Sequence, residues 1–139
     1  MDLTLEENKT IIYRYFDQVI NQGKLAVVDE LVAPDFIEHK PAPGQAPGRE
    51  GLKQLIPLFH AAFPDAQTVI GDIIAEGDKV VVRSVTRATH TGPMMGLEPT
   101  GRRVEYSGID IFWLTNGQIV EHWWERDHLT MMQQLGLLA

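Results

Sequence analysis

The feature that most constrains this chain is a change in hydrophobic periodicity at Ala66. Before it, apolar residues recur every three or four positions, as on the inward face of an amphipathic helix. After it, apolar and polar residues alternate, as in strands with one buried face. Helices followed by a separate run of strands predict an α+β fold, in which the helices pack on one face of a sheet.

Three helical patterns precede the change. Thr4 and Glu7 fit a capping box, and Gly23 fits a C-terminal stop for the first helix. Pro57 lies inside the third pattern, where its missing N–H predicts a kink. The patterns cover about residues 5–22, 24–31 and 49–63.

The segment Pro41–Gly48, PAPGQAPG, separates the second and third helical patterns. Its three prolines and two glycines prevent a regular helix or strand, so a loop is predicted. It is either a plain connection or the lid or rim of a binding site, because long loops are often functional.

The strands predict a strongly curved sheet, antiparallel or mixed. Gly71 and Gly108 interrupt long strands at positions where a sheet can bend. A sheet bent over helices forms a cone with an internal pocket suited to a small apolar ligand. The strand patterns cover about residues 35–39, 68–75, 80–91, 102–115 and 118–127.

Length and composition exclude several classes of protein. A chain of 139 residues is expected to form one domain over 1–139. No cysteine is present, which excludes disulfides and thiolate chemistry. A net charge of −7 without a basic patch argues against nucleic acid as a partner. Neither a signal peptide nor a membrane span is recognisable, so a cytoplasmic protein that does not bind membranes is expected.

Asp127 is the first candidate for chemistry. By strand alternation it shares a face with Ile119, Glu121 and Trp123, and a carboxylate among aromatic rings has a raised pKa and suits acid/base catalysis. Alternatively, Asp127 caps the helix that begins at the next residue. Asp110, in the middle of an apolar strand, is the reserve candidate.

His39, His90 and His122 form the second group of candidates, each on or near the end of a strand. A neutral histidine can polarise a carbonyl or orient a carboxylate, although each can equally make a structural hydrogen bond. The histidine spacing matches no metal-binding motif, so no metal site is predicted.

Aromatic and methionine side chains are candidates for lining the pocket. They also fill ordinary cores, and the sequence alone leaves both interpretations open. Met95 lies in a loop of glycines and prolines, where the mouth of a cavity is plausible. The candidate substrate-binding residues are Phe16, Met95, Trp113, His122 and Trp123.

Five short motifs occur in a characteristic order: FPD at 63–65, EGDKV at 76–80, THTG at 89–92, GLEPTG at 96–101 and GQIVEHW at 117–123. Together they resemble the SnoaL-like polyketide cyclases, within the nuclear transport factor 2-like (NTF2-like, cystatin-like) superfamily. The resemblance covers nearly the whole chain and implies an α+β cone with a deep pocket and a dimer or tetramer packed through the sheet.

The resemblance also implies a reaction. Characterised members close a ring of a polyketide methyl ester by intramolecular aldol condensation, with neither metal nor cofactor. Asp127 matches their acid/base aspartate, and His39 resembles a polar pocket position. Two departures put the polyketide specificity in question: Trp124 stands where an aspartate often follows the EHW motif, and Trp113 stands where many members have arginine.

The expected function is a cofactor-independent cyclase or isomerase for a small apolar or aromatic molecule. Asp127 would remove a proton next to a carbonyl, and His39 or His90 would stabilise the resulting oxyanion. One alternative is an epoxide hydrolase or small-ring isomerase, in which Asp110 and Asp127 flank one water. The other is a ligand-binding or association domain without catalysis.

Overall fold

The structure, a computed structural model, describes residues 3–94 and 96–138. It confirms the α+β fold. No helix in this part of the chain is long and apolar enough to cross a membrane. The helices are α1 Leu5–Arg14, α2 Leu25–Leu31, α3 Gly48–Ala62 and α4 His128–Gln134, and the strands are β1 Val32–Glu38, β2 Gln67–Glu76, β3 Lys79–Thr89, β4 Arg103–Thr115 and β5 Gln118–Arg126.

The five strands form one mixed sheet in the order β1-β5-β4-β3-β2. β1 runs parallel to β5, and every other neighbouring pair is antiparallel. The sheet curls over the helices without closing into a barrel. The parallel pairing matters for the site, because it brings the end of β1 beside the middle of β5.

The first helix begins as predicted and ends differently. Glu7 donates its backbone N–H to Thr4 Oγ1, and its carboxylate accepts from the N–H of Thr4, which confirms the capping box. Beyond Arg14 the chain continues as a π-helix, Tyr15–Asn21, where the sequence predicted regular α-helix. The wider turn buries the neighbouring residues Tyr15 and Phe16 together against the sheet.

Alternation along β4 sorts its residues between the two faces of the sheet as predicted. Asp110 and Phe112 lie buried on the inner face, whereas Ile109 and Trp113 lie on the outer face. The inner face contacts two apolar clusters, one around Phe112 and one around Phe63. Along β3 the buried polar residues Ser84 and Thr86 separate these clusters.

A shift of register in β5 overturns one prediction. Trp113 pairs with Glu121, but Leu114 pairs with Ile119, so the strand contains an extra residue between the two pairs. Ile119 therefore lies on the inner face and Glu121 on the outer face. The prediction that Ile119 shares a face with Glu121 and Trp123 was wrong, although Glu121 and Trp123 do share the outer face. Past the shift, the inner face of β5 carries His122, Trp124 and Arg126, opposite Phe112, Asp110 and Gly108.

Candidate active site

His122 lies on the inner face of β5, between two carboxylates. Its Nε2 is 2.6 Å from Asp110 Oδ2, and its Nδ1 is 2.8 Å from Glu38 Oε2. A carboxylate can only accept, so both ring nitrogens must donate and the imidazole is in its charged form. The two hydrogen bonds fix the plane of the ring and join β1 to β4 through β5.

Arg126 completes the group, which we call the charge cluster: Glu38, Asp110, His122 and Arg126. Its Nη1 is 2.9 Å from Asp110 Oδ1 and its Nη2 is 2.9 Å from Oδ2, a two-pronged pair. Gly108 stands opposite Arg126, and its missing side chain leaves room for the guanidinium to reach Asp110. Asp110 is only 2% exposed and accepts three hydrogen bonds from two charged side chains, His122 and Arg126.

These contacts keep Asp110 and His122 ionised. Burial opposes the charge on Asp110, but the hydrogen bond from His122 and the positive charge of Arg126 together lower the pKa of Asp110. Burial likewise opposes the charge on His122, and the hydrogen bonds to Asp110 and Glu38 outweigh it and raise the pKa of His122. Asp110 therefore stays negative and His122 positive in the interior. Asp110 accepts three hydrogen bonds and has a lowered pKa, so it is poorly suited to accept a further proton.

Glu38 differs from Asp110, because it has a free oxygen. It is the last residue of β1, and the parallel register puts it beside His122. Within the described part of the chain, no donor lies within hydrogen-bond distance of its Oε1, and its side chain is 10% exposed. Glu38 also lines an open cleft of about 550 Å³ between β1 and the Pro41–Gly48 loop. The cleft is lined by Asp35, Phe36, Ile37, Glu38, Pro41, Gln45, Ala46, Pro47 and Gly48.

Aromatic rings surround the inner side of the cluster. The Phe112 ring stacks on His122 with centroids 4.7 Å apart, and the Phe36 ring lies roughly parallel to His122 with centroids 6.5 Å apart. Tyr15 and Phe16 each meet Phe112 edge to face. Phe16, a predicted substrate-binding residue, is thus buried in the first apolar cluster. Burial raises the pKa of Tyr15, so its phenol stays protonated at neutral pH.

Asp127 lies outside this arrangement, at the N-terminus of α4. Its Oδ1 accepts from the Thr130 backbone N–H at 3.1 Å and its Oδ2 from the Thr130 hydroxyl at 2.6 Å. The carboxylate is exposed, and these hydrogen bonds lower its pKa. The expectation of a raised pKa was therefore wrong. Of the two interpretations left open by the sequence, the structure shows the helix cap, and a catalytic role for Asp127 stays a prediction.

His39, Trp113 and Trp123 lie together on the outer face of the sheet. The His39 ring stacks on Trp123 at 4.2 Å, and its Nε2 is 2.7 Å from Glu121 Oε1. The rings of Trp113 and Trp123 lie 6.3 Å apart. Of these predicted site residues, none is on the face that carries His122, because the sheet separates the two groups.

His90 is fully buried in a third place, beside Phe63 at 5.4 Å. Its Nδ1 accepts from the backbone N–H of Thr100 at 3.2 Å, so the hydrogen is on Nε2, which has no partner among the described residues. Met95 lies outside the described residues. The structure therefore does not bring Asp127, His39 and His90 into one site. Within residues 3–94 and 96–138, no group of three or more histidine and acidic residues is placed to hold a metal ion.

Sequence reasoning named His122 and held Asp110 in reserve, but it missed Glu38 and Arg126. The signal for Glu38 was weak: it follows Phe36 by two positions and so shares the inner face of β1. Nothing in the sequence indicated that β1 would pair with β5 in parallel, which is what brings Glu38 to His122.

Comparison with known proteins agrees with this architecture. The family model of the SnoaL-like polyketide cyclases matches residues 10–135. The nogalonic acid methyl ester cyclase of Streptomyces nogalater is 28% identical over 122 residues, which cover 84% of this chain and 88% of that protein.

Solved structures give the same result. TsrD from Streptomyces laurentii superposes with a TM-score of 0.89 and 28% identity, covering 99% of this chain and 100% of TsrD. IdmH from Streptomyces antibioticus, a candidate polyketide cyclase, gives a TM-score of 0.81 and 37% identity, covering 93% of this chain and 98% of IdmH. The chain therefore belongs to the SnoaL-like polyketide cyclase family.

Proposed function

We propose that this protein is a cofactor-independent cyclase that closes a ring of a polyketide-type ester by intramolecular aldol condensation, with Glu38 as the general base. The observation that supports this most is the position of Glu38, which belongs to the charge cluster and also lines the cleft. His122 fixes one carboxylate oxygen, and the other has no donor among the described residues. A base that is held in place beside an apolar cleft suits proton transfer from carbon.

The proposed reaction has two proton transfers and one bond-forming step. Glu38 takes a proton from the carbon next to a carbonyl, and the electron pair of that C–H bond forms an enolate. The enolate carbon attacks a second carbonyl of the same molecule, forming the new C–C bond and leaving an alkoxide. The alkoxide takes the proton back from Glu38, which returns the enzyme to its starting state without an oxidant, reductant or cofactor.

Gln45 is the proposed donor to the enolate oxygen. It lines the same cleft as Glu38. Its side-chain carbonyl accepts from the Ala42 backbone N–H at 2.9 Å, which orients the amide and leaves its NH₂ group to donate. A donor aimed at the oxygen that gains charge lowers the barrier to enolisation.

Glu38 is preferred over the two aspartates for physical reasons. Asp110 accepts three hydrogen bonds from the charged side chains of His122 and Arg126 and has a lowered pKa, so it is a weak base. Asp127 accepts two hydrogen bonds at the start of α4 and is exposed to water. The same facts disfavour the epoxide hydrolase in which Asp110 and Asp127 share a water, because one carboxylate is buried in the charge cluster and the other is exposed.

The test is a comparison of Glu38→Gln with Asp127→Asn, which both replace a carboxylate by an amide of the same shape. The probe is nogalonic acid methyl ester, the compound in the name of a relative. Loss of a general base is expected to lower kcat about 100-fold or more in Glu38→Gln. Asp127→Asn is expected to stay within about twofold of wild type, because its capping carboxylate takes no part in the proposed proton transfer. Ring closure is followed by chromatography of the product.

The opposite pattern would contradict the assignment. If Asp127→Asn lost turnover and Glu38→Gln kept it, the base would be Asp127, as the family resemblance implies. If the probe stabilised the wild-type protein against heat but gave no product, a ligand-binding domain would be the better description.

A further inference from the structure

Trp124 occupies a position that links the cleft to the charge cluster. It follows Trp123 on β5 and points to the opposite, inner face, where it pairs with Asp110. Its indole Nε1 donates to the backbone carbonyl of Lys40 at 3.0 Å. Lys40 is the residue immediately before the Pro41–Gly48 loop, so this hydrogen bond ties the start of the loop to the sheet.

The indole ring also lies between two cations. Lys40 Nζ is 5.1 Å from the ring centroid and Arg126 Cζ is 5.3 Å from it. Both contacts are within the range of cation–π attraction. Lys40 Nζ is further held by Glu125 Oε2 at 2.6 Å, and Arg126 holds Asp110. One side chain thus contacts both the entry to the loop and a member of the charge cluster.

The loop itself has open space on both sides. One side is the cleft of about 550 Å³ that Glu38 lines. On the other side, a smaller cleft of about 90 Å³ separates the loop from Leu55 and Leu58 of α3. Side-chain packing therefore restrains the loop little, and its position depends on a few contacts. Besides Trp124, one of them is at Gly51, where a Cβ would lie 1.8 Å from the Ala46 carbonyl oxygen.

We propose that Trp124 is a positioning residue that holds the Pro41–Gly48 loop over the cleft and thereby sets how tightly an uncharged, apolar ligand is bound there. That the cleft is the substrate site rests on the proposed function, whereas the effect of Trp124 on the loop does not. Trp124 does not contact the reacting atoms in this proposal, so it acts on binding rather than on proton transfer.

The chain offers a matched pair of variants, Trp124→Phe and Trp123→Phe, which change adjacent indoles on opposite faces of β5. Loss of one hydrogen bond to Lys40 is expected to speed hydrogen exchange in a peptide covering 41–50 about 3- to 10-fold in Trp124→Phe. Trp123→Phe is expected to leave it unchanged. With nogalonic acid methyl ester, KM should rise about 5-fold in Trp124→Phe while kcat stays within about twofold. This is the result expected when an interaction that stabilises the bound substrate and the transition state equally is lost.

Unchanged exchange in the loop of Trp124→Phe would overturn the proposal, as would an equal increase over the whole protein, which would indicate general destabilisation. If Trp124→Phe does not fold, Gly51→Ala is the second variant. Its added Cβ displaces the loop from the α3 side while Trp124 stays intact, and it should speed hydrogen exchange in the same peptide. No increase there would show that the loop is not held in this way. A result in which loop exchange rises but Glu38→Gln keeps full turnover would refute the proposed function and leave the role of Trp124 standing.

Discussion

At the level of single residues, each charged group of the charge cluster is stabilised by the opposite charge of its neighbours. Asp110 is almost fully buried, and a buried carboxylate without partners is very costly. His122 and Arg126 supply its charged donors, and Glu38 balances the second positive charge. Removing one member leaves an opposite charge buried without its partner, and this lowers the stability of the folded state strongly.

His122 makes this arrangement dependent on pH in a definite direction. Its pKa is raised above 6.5 in the folded protein. A raised pKa stabilises the folded state fully below the unfolded value, and the stabilisation is lost as the pH rises through the folded value. Asp110, with a lowered pKa, contributes stability above 3.8 that is lost only at more acidic pH. The cluster is therefore expected to be most stabilising between these two values.

We predict that His122→Gln lowers the free energy of unfolding by about 3 kcal/mol at about pH 6, because it leaves two carboxylates without their shared cation. The difference from wild type should shrink as the pH rises above 6.5 and through the raised pKa of His122. Urea unfolding at several pH values measures it. His39→Gln is the control, since its half-exposed contact with Glu121 should contribute less than about 1 kcal/mol. A difference that grows with pH would contradict the charged state of His122.

At the level of secondary structure, the site depends on how β4 and β5 face each other. Gly108 is buried opposite Arg126, and a Cβ there would lie 2.7 Å from Arg126 Cδ and Nη1. The glycine is thus needed for space, so that the guanidinium can cross β4 to reach Asp110. Its φ is not positive, so no unusual dihedral angle is involved.

We predict that Gly108→Ala displaces Arg126 from Asp110 and lowers the free energy of unfolding by about 2 kcal/mol, the typical value for hydrogen bonds between charged groups. Gly71→Ala is the matched control. There a Cβ would lie 2.9 Å from Arg83 Nη2, but the Arg83–Asp72 pair is exposed, so a loss below about 1 kcal/mol is expected. Urea unfolding measures both losses. Equal losses would mean that the buried Arg126–Asp110 pair contributes no more to stability than the exposed Arg83–Asp72 pair.

The same elements show what the sequence could and could not predict. The order of helices and strands and the two faces of β4 follow from periodicity, because burial on one side of a regular element repeats with a fixed spacing. The extra residue in β5 follows from no local pattern, yet it reverses the face of every side chain on one side of it. The parallel pairing of β1 with β5 depends on tertiary contacts. Asp127 was favoured from the sequence because it matches the acid/base aspartate of the family, whereas Glu38 emerged only from the structure.

At the level of the whole molecule, the outer face of the sheet is unusually apolar for a surface exposed to water. Ile74, Val81, Ile111 and Trp123 form a row across four strands through their paired positions. Several further apolar side chains on this face are at least one-third exposed. They are Ile37 at 51%, Val69 at 59%, Ile109 at 49% and Trp113 at 36%. Contiguous exposed apolar surface of this kind marks an interaction site.

We propose that a second copy of this chain covers this face, as the family resemblance implies, giving a homodimer or tetramer packed through the sheet. The prediction is that light scattering at micromolar concentration gives at least twice the monomer mass of 15.6 kDa. Ile111→Lys, in the apolar row between Val81 and Trp123, should reduce the mass to that of the monomer, because an unpaired ammonium would be buried between the sheets.

The control for this prediction is Leu58→Lys. Leu58 is 66% exposed on α3, on the side of the sheet opposite the proposed interface, so the same gain of charge should leave the oligomeric state unchanged. A monomeric wild-type protein would contradict the proposal outright. A dimer that survives Ile111→Lys but dissociates in Leu58→Lys would move the interface to the helices, next to the smaller cleft that Leu58 lines. An interface there would contact the Pro41–Gly48 loop, whereas an interface through the sheet would border the larger cleft at Ile37, which lines that cleft and lies on the outer face.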